Sequence, residues 1–439
     1  KINFSPLVYQ MVEAMANSVE DVLIDGLSFK LRPGASYVNE RKSVTYHPQG
    51  SNIYSTQGTK LIKILLTGDH WMDPSTFRIT YDLVNMDPDI EHRLRPLGGP
   101  GSFFRRMRVL CSGQIIEDID NYNRVEAMFE NLTARDANQN VDVEGFGQKW
   151  NRVQHQIDLY NSQSFSGIVG GQSQTVFFKP LSGLLNQSKF LPLRYAPLTI
   201  ELELVSASTD PIISDLTGTI FTDANTSVQW QIQNVQVKVD ICTLDNALDN
   251  SYAEHLLSGK ALPINYNTMV SQTQSLFSGD NGQQKVRLNV TRALSRLKSV
   301  FVTLFYDTGE ADEEVGTKDW NFFYSPMLAN AGGQYNQFSE EGEFEAQLQL
   351  GAKLYPEYPI RSHSEAYYQL RKTLGVKNNI RNFDITSQEY RSCKFIWATD
   401  MEKVIEMGFT GVNTRAGDIL NLRFDHATNT ATRWATGMQ

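Results

Sequence analysis

Residues 101–125, GSFFRRMRVLCSGQIIEDIDNYNRV, set Arg105, Arg106 and Arg108 close to a cysteine (Cys111) and the carboxylates Glu117, Asp118 and Asp120, with Glu126 just beyond. A thiol nucleophile, anion-binding cations and acid–base groups are thus all offered in one stretch. The backbone pattern spreads them apart. Read at period two, Phe103, Arg105, Met107, Val109 and Cys111 fall on one side of a strand and Phe104, Arg106, Arg108 and Leu110 on the other, so a single basic face does not form. Ser112-Gly113 then supplies a tight turn, Ile115 and Ile116 re-enter the core, and Asp118 or Asp120 caps a helix. That helix carries an apolar stripe of Val125, Met128, Phe129 and Leu132. Cys111 has neither a neighbouring His nor a helix N-terminus to activate it and reads as a small buried apolar residue.

Other candidate chemistry dissolves in the same way. The glycine run Gly98–Gly101 lacks the Lys-Ser/Thr of a P-loop and precedes a strand, so no helix N-terminus is there to cradle phosphate. The seven histidines are scattered, with no two inside four positions of each other, which gives no metal-ligand spacing. The acidic loop 307–316, DTGEADEEVG, lacks the alternating ligand order and closing bidentate Glu of a calcium site. Glu201 and Glu203 in LTIELEL are same-side residues of one strand, whereas a glycosidase pair faces a cleft from opposite sides. Aromatics beside basic residues, as in PLRYAPL and YYQLRK, fit packing better than base stacking. The sequence therefore assigns no catalytic residue, no cofactor-binding residue and no metal ligand.

Composition narrows the class further. A 439-residue chain exceeds the roughly 250–300 residues at which single cores stop growing, so two domains are expected. Forty basic against 49 acidic residues give a net charge of −9, which is not the footprint of a dedicated nucleic-acid binder, although a local basic face stays open. Cys111, Cys242 and Cys393 are odd in number, far apart and without a CxxC, which favours a reducing compartment over a disulfide framework. No apolar run reaches membrane-spanning length.

The elements that would position these residues are mostly strands. Leu7, Val8, Met11, Val12 and Met15 predict a short amphipathic helix or arm over 1–17. From Ser18 onward, period-two and short apolar runs dominate: KLIKILL, TFRITYDLV, FFRRMRVL, LTIELELV and SVQWQIQNVQVKVDI, then QKVRLNV, SVFVTLFYD, FEAQLQL, KFIWATD and ILNLRFDHA. Few helices intervene. One is expected at 245–259, ending on Gly259, and another in SEAYYQLRKTL, starting near Ser362 or Ser364 and stopping at Gly375. Such a pattern argues for antiparallel sandwiches or barrels and against a parallel α/β sheet. Residues 62–85 align without gaps on 286–309, Phe77 falling on Phe301, as two related β domains would.

Several segments in order, FFRRMRVLCSGQIIEDIDNYNRV, NQSKFLPLRYAPLTIELELV, FEAQLQLGAKLYPEYPIRSHSEAYYQLRKTLG and GVNTRAGDILNLRF, resemble the double jelly-roll major capsid proteins of eukaryotic DNA viruses of the polinton-like, virophage-like and adintovirus-like groups. They run from about residue 100 to 424. The resemblance implies an all-β fold of two consecutive eight-stranded antiparallel jelly rolls with a few short helices, one over 18–244 and one over 260–439, joined by a connecting helix at 245–259. It also implies a non-enzymatic structural protein of the virion, assembled inside the host cell. Homotrimers of pseudo-hexagonal outline would tile an icosahedral shell around double-stranded DNA, with penton and minor capsid proteins as partners, no specific nucleic-acid binding and no transmembrane segment. The alternative from another class is a carbohydrate-binding or carbohydrate-active β-sandwich protein, since jelly rolls host those too.

Overall fold

The computed structural model describes residues 38–134, 143–146, 167–213, 226–274, 283–305, 323, 325, 343–375, 383, 385–392, 394–403, 410–415 and 420–427. The expected arm over 1–17, the acidic loop 307–316 and Cys393 lie outside them. Contacts divide the chain into a small unit (1–40 with 243–261) and a large one (41–242 with 262–439).

In the first half of the chain the strands are β1 (Val38–Tyr46), β2 (Ile53–Tyr54), β3 (Leu61–Leu66), β4 (Trp71–Met72), β5 (Arg78–Asn85), β6 (Arg93–Leu94), β7 (Phe104–Cys111) and β8 (Gln114–Ile119). Helix α1 (Tyr122–Asn131), β9 (Ile168–Val169), β10 (Ser173–Phe178), the short α2 (Gly183–Asn186), β11 (Leu191–Pro192), β12 (Leu198–Leu204) and β13 (Trp230–Leu244) follow. One sheet runs β10-β5-β13-β4-β11, with β1 and β2 also on β13; another runs β3-β12-β7-β8. Alternation decides what each buries. In β3 (LIKILL) Ile62, Ile64 and Leu66 turn inward, and in β12 (LTIELEL) Leu198, Ile200, Leu202 and Leu204 do so. They meet Ile79, Tyr81, Leu83, Val176, Phe178 and Val237 from the other sheet in one apolar core. Tyr81 on β5 stands edge-on to Phe104 on β7, 5.8 Å between centroids, and so links the two layers.

The second half is built from β14 (Gln283–Val290), β15 (Ser299–Val302), β16 (Glu343–Leu350), β17 (Lys353–Ile360), α4 (His363–Thr373), α5 (Ser387–Ser392), β18 (Trp397–Asp400) and β19 (Leu420–Ala427). One antiparallel sheet runs β14-β19-β16-β17, and β15 pairs with β18. Phe344, Ala346, Leu348, Leu422 and Phe424 from the sheet, Phe395, Ile396 and Trp397 before and in β18, and Ala366 and Leu370 from α4 form a second core. Ser362 caps α4 by accepting from Glu365 N at 3.2 Å, and Gly375 follows it at φ +72. In both aligned segments, 62–85 and 286–309, the first strand joins one sheet and the second strand another.

In the small unit, a helix, α3 (Asn246–Leu257), falls within the stretch 245–259 where one is expected. Asp245 caps it, accepting from Ala247 N at 3.2 Å, and Gly259 leaves it at φ +80.

Candidate functional site

The arginine-rich stretch becomes a hairpin followed by a helix. Cys111 pairs with Gln114 across Ser112 (φ 48) and Gly113 (φ 83), the two left-handed residues that a two-residue hairpin turn demands. Strict alternation along β7 does not hold. A register shift at Glu203/Leu204 leaves Arg105 as an extra residue between Arg106 and Phe104, so Phe104 and Met107 both face the core while Arg106 and Arg108 share the outer face. Arg105 itself is exposed.

Arg106 meets Asp118 on β8, and Arg108 meets Glu201 on β12 at 3.0 Å. Lys63 on β3 reaches the same Glu201 at 3.5 Å. The outer face of this sheet is thus laced by ion pairs between neighbouring strands, all within one chain. Glu201, pinned between two cations, does not face Glu203 across a cleft; the pair lacks the arrangement of a glycoside hydrolase.

Three further expectations are corrected. Asp118 does not cap α1, because it is engaged by Arg106; the cap position is Asn121, held at φ 46 with no side-chain cap bond. Ile115 is not in the core but 52% exposed, since the register shift at Val109/Leu110 turns Glu117 inward in its place. Cys111 is half-buried rather than fully buried.

Glu117 is the residue that sequence reading missed. It is 3% exposed and accepts hydrogen bonds from Ser182 Oγ, from Gly183 N at 2.8 Å and from Thr268 Oγ1 at 3.0 Å. Around it, Tyr266 donates to Ile116 O at 3.1 Å, Ser271 donates to Asp120 O, and Lys189 Nζ donates to Pro263 O at 3.0 Å. Ile264, Tyr266 and Met269 pack on the first core. The segment 262–271 therefore straps the outer edge of β8, its side-chain donors standing where a neighbouring strand would otherwise bond.

Helix α1 is shared between the two cores. Tyr122 and Val125 belong with the first, while Met128, Phe129 and Leu132 belong with the second. Phe129 packs edge-on against Phe301 at 5.5 Å, and the Arg124 guanidinium lies 4.8 Å from the Phe305 ring centroid. The glycine run beneath α1 has a packing role: a Cβ on Gly101 would sit 1.7 Å from Glu126 Oε2. A carboxylate in that position repels phosphate.

Of the histidines, His92 lies with Nδ1 2.9 Å from Asp87 Oδ2, and the buried His363 has Nε2 2.5 Å from Ser325 Oγ. Among the described residues no group of three or more His, Cys, Asp or Glu side chains is arranged to hold a metal ion. No helix there is long and apolar enough to cross a membrane.

Two β cores, antiparallel sheets and few helices place the chain in a definite class: its fold is the double jelly roll of viral major capsid proteins. Among solved structures it is similar to VP54 of PBCV-1, as fitted into a reconstruction of the virophage Sputnik, with TM-score 0.55, 14% identity, and coverage of 92% of this chain and 89% of that one. It is similar to a chain of the Sputnik virophage structure (TM-score 0.55, 11% identity, 94% and 86% covered) and to the Faustovirus major capsid protein (TM-score 0.51, 9% identity, 94% and 90% covered). No protein-family model matches the sequence, and no curated protein does.

Proposed function

We propose that this chain is a major capsid protein of a DNA virus, a structural protein that assembles with copies of itself into pseudo-hexagonal trimers and then into an icosahedral shell around double-stranded DNA. The observation that carries the reading is likeness over nearly the full length of both chains to VP54 of PBCV-1, at TM-score 0.55. Size matters here, because a β-sandwich binding module would share one jelly roll and not the ordered pair. Of the side chains that first looked reactive, Arg106, Arg108 and Asp118 are spent on ion pairs between neighbouring strands. The motifs of residues 100–424 further suggest the polinton-like, virophage-like and adintovirus-like groups as its nearest kin, and penton and minor capsid proteins as its partners at vertices and seams.

The test is the mass and shape of the purified protein. Sedimentation is expected to give a trimer of three chain masses or a larger shell, and electron microscopy hexagonal capsomers. A chain that stays monomeric at high concentration and binds an oligosaccharide overturns the proposal.

A further inference from the structure

The outer face of the β10-β5-β13 sheet carries a charge arrangement that the isolated fold does not need. Lys238 on β13 stands directly opposite Arg78 on β5. On the other side of β5, Phe178 stands opposite Ile79, so the next residue, Lys179, continues the row beside Arg78. Three cations thus line up across three neighbouring strands, where like charges facing one another repel. Burial, and then Arg78, hold the Lys179 ammonium below its ordinary value. Glu144 approaches Arg78 Nε at 3.8 Å, and Asp73 is bonded to Arg41 at 2.9 Å and to Ser75. Next to the row on the same face, Phe177 is 37% exposed, with Lys238 Nζ 5.9 Å from its ring centroid.

At the far end of β5 the chain forms a surface of opposite character. Asn85 Oδ1 accepts from Asp87 N at 3.1 Å, Asp87 Oδ1 from Asp89 N at 3.0 Å, and Asp89 Oδ1 from Glu91 N at 2.9 Å. This relay of side-chain bonds fixes the turn 86–92 before any partner arrives, which lowers the entropy cost of docking. Gly170 braces it from below, so close that a Cβ there would lie 2.0 Å from Asp89 O. The turn presents exposed Asp89 and Glu91 on either side of Ile90, which is 70% exposed, with Met86 beside them at 46%.

The two surfaces complement each other in charge and in apolar character, yet they sit at opposite ends of one strand. Seven residue steps at about 3.4 Å put roughly 24 Å between Arg78 and Asn85, beyond the reach of any side chain. The turn therefore cannot meet the row of its own chain.

We propose that the 86–91 turn of one copy docks on the Lys179–Arg78–Lys238 row of a second copy, with Ile90 against Phe177 and the carboxylates of Asp89 and Glu91 against the cations. The inference rests on the assembly reading above and names the partner surface within it. Because the two patches differ, the contact is head-to-tail, the kind that generates a closed ring such as a trimer where the rotation between copies closes.

Sedimentation of the full chain over a concentration series tests it. The double reversals Lys179→Glu with Lys238→Glu, and Asp89→Lys with Glu91→Lys, are each expected to weaken association about tenfold or more. All four substitutions in one chain restore the complementarity and are expected to recover association to within about threefold of the wild type. Should a reversal impair folding, as far-UV circular dichroism reads, the unmutated chain supplies the second measurement: its association is expected to fall about tenfold as salt shrinks the Debye length from about 10 Å to about 3 Å. Association indifferent to salt and to either reversal, or a fourfold variant as weak as the doubles, overturns the contact while leaving the capsid reading intact. A wild-type chain that never associates overturns that reading and the contact together.

Discussion

Arg106 and Asp118 face each other across the β7–β8 hairpin and share two hydrogen bonds, Nε to Oδ1 at 2.8 Å and Nη2 to Oδ2 at 2.7 Å. This fork-to-fork geometry is the strong form of an ion pair, and it fixes the hairpin's register beside the bulge that expels Arg105.

The pair makes stability depend on pH in a stated direction. Hydrogen bonding from Arg106, working against partial burial, holds the Asp118 carboxyl below its ordinary value. Its contribution is therefore fully present above the unfolded carboxylate value near about 3.9 and is lost as pH falls through the lower folded value. Asp118→Asn is expected to cost about 1 kcal/mol at pH 7, after allowance for solvent screening at this half-exposed site. The deficit should shrink as pH falls below the unfolded carboxylate value, in urea titrations of variant and wild type. A deficit that stays constant across that range would show that packing, not charge, carries the effect.

Glu117 should matter more, because it is itself buried and accepts from three donors, of which Ser182 is fully buried. Glu117→Leu leaves Ser182 Oγ, Gly183 N and Thr268 Oγ1 without their acceptor and is expected to cost about 3 kcal/mol. Thr268→Ala removes one donor and should cost about 1 kcal/mol. Chemical denaturation midpoints distinguish the two; equal losses would contradict the ranking.

Met128 tests the shared helix. It is 8% exposed and belongs to the second core although α1 follows the first jelly roll's hairpin in sequence. Met128→Ala is expected to cost about 2 kcal/mol. Hydrogen exchange should quicken more in β16 and β19 than in β3, and the reverse order would place the helix with the first core alone.

Gly170→Ala probes the acidic turn. The obstruction is backbone, Asp89 O at 2.0 Å and Asp87 O at 2.8 Å from an added Cβ, so no side chain can swing aside. A loss of about 2 kcal/mol is expected, together with weakened self-association in sedimentation. Stability lost without any change in association would separate the turn from the interface.

Fold class was legible in the sequence because alternation is a local signal. LIKILL and LTIELEL state which face of each strand is buried without reference to any other strand, and Ser362 and Gly375 mark the ends of α4. Side-chain roles near the first hairpin were legible only in part. Alternation predicted Arg106 and Arg108 on one face, and they are there, but it misplaced Arg105 and Ile115, because a bulge shifts parity through pairing with another strand.

What the sequence determined by itself, then, was a chain of strands long enough for two cores, with no assembled catalytic or metal-binding motif. Only the tertiary structure decided that Asp118 pairs with Arg106 instead of capping α1, and that Glu117 meets Thr268, 151 residues away. Tertiary structure also set Lys238 and Lys179 on either side of Arg78. The physical reason is common to all three: hydrogen bonds and charge pairs depend on distance in space, and strand register sets that distance between residues that the sequence keeps far apart.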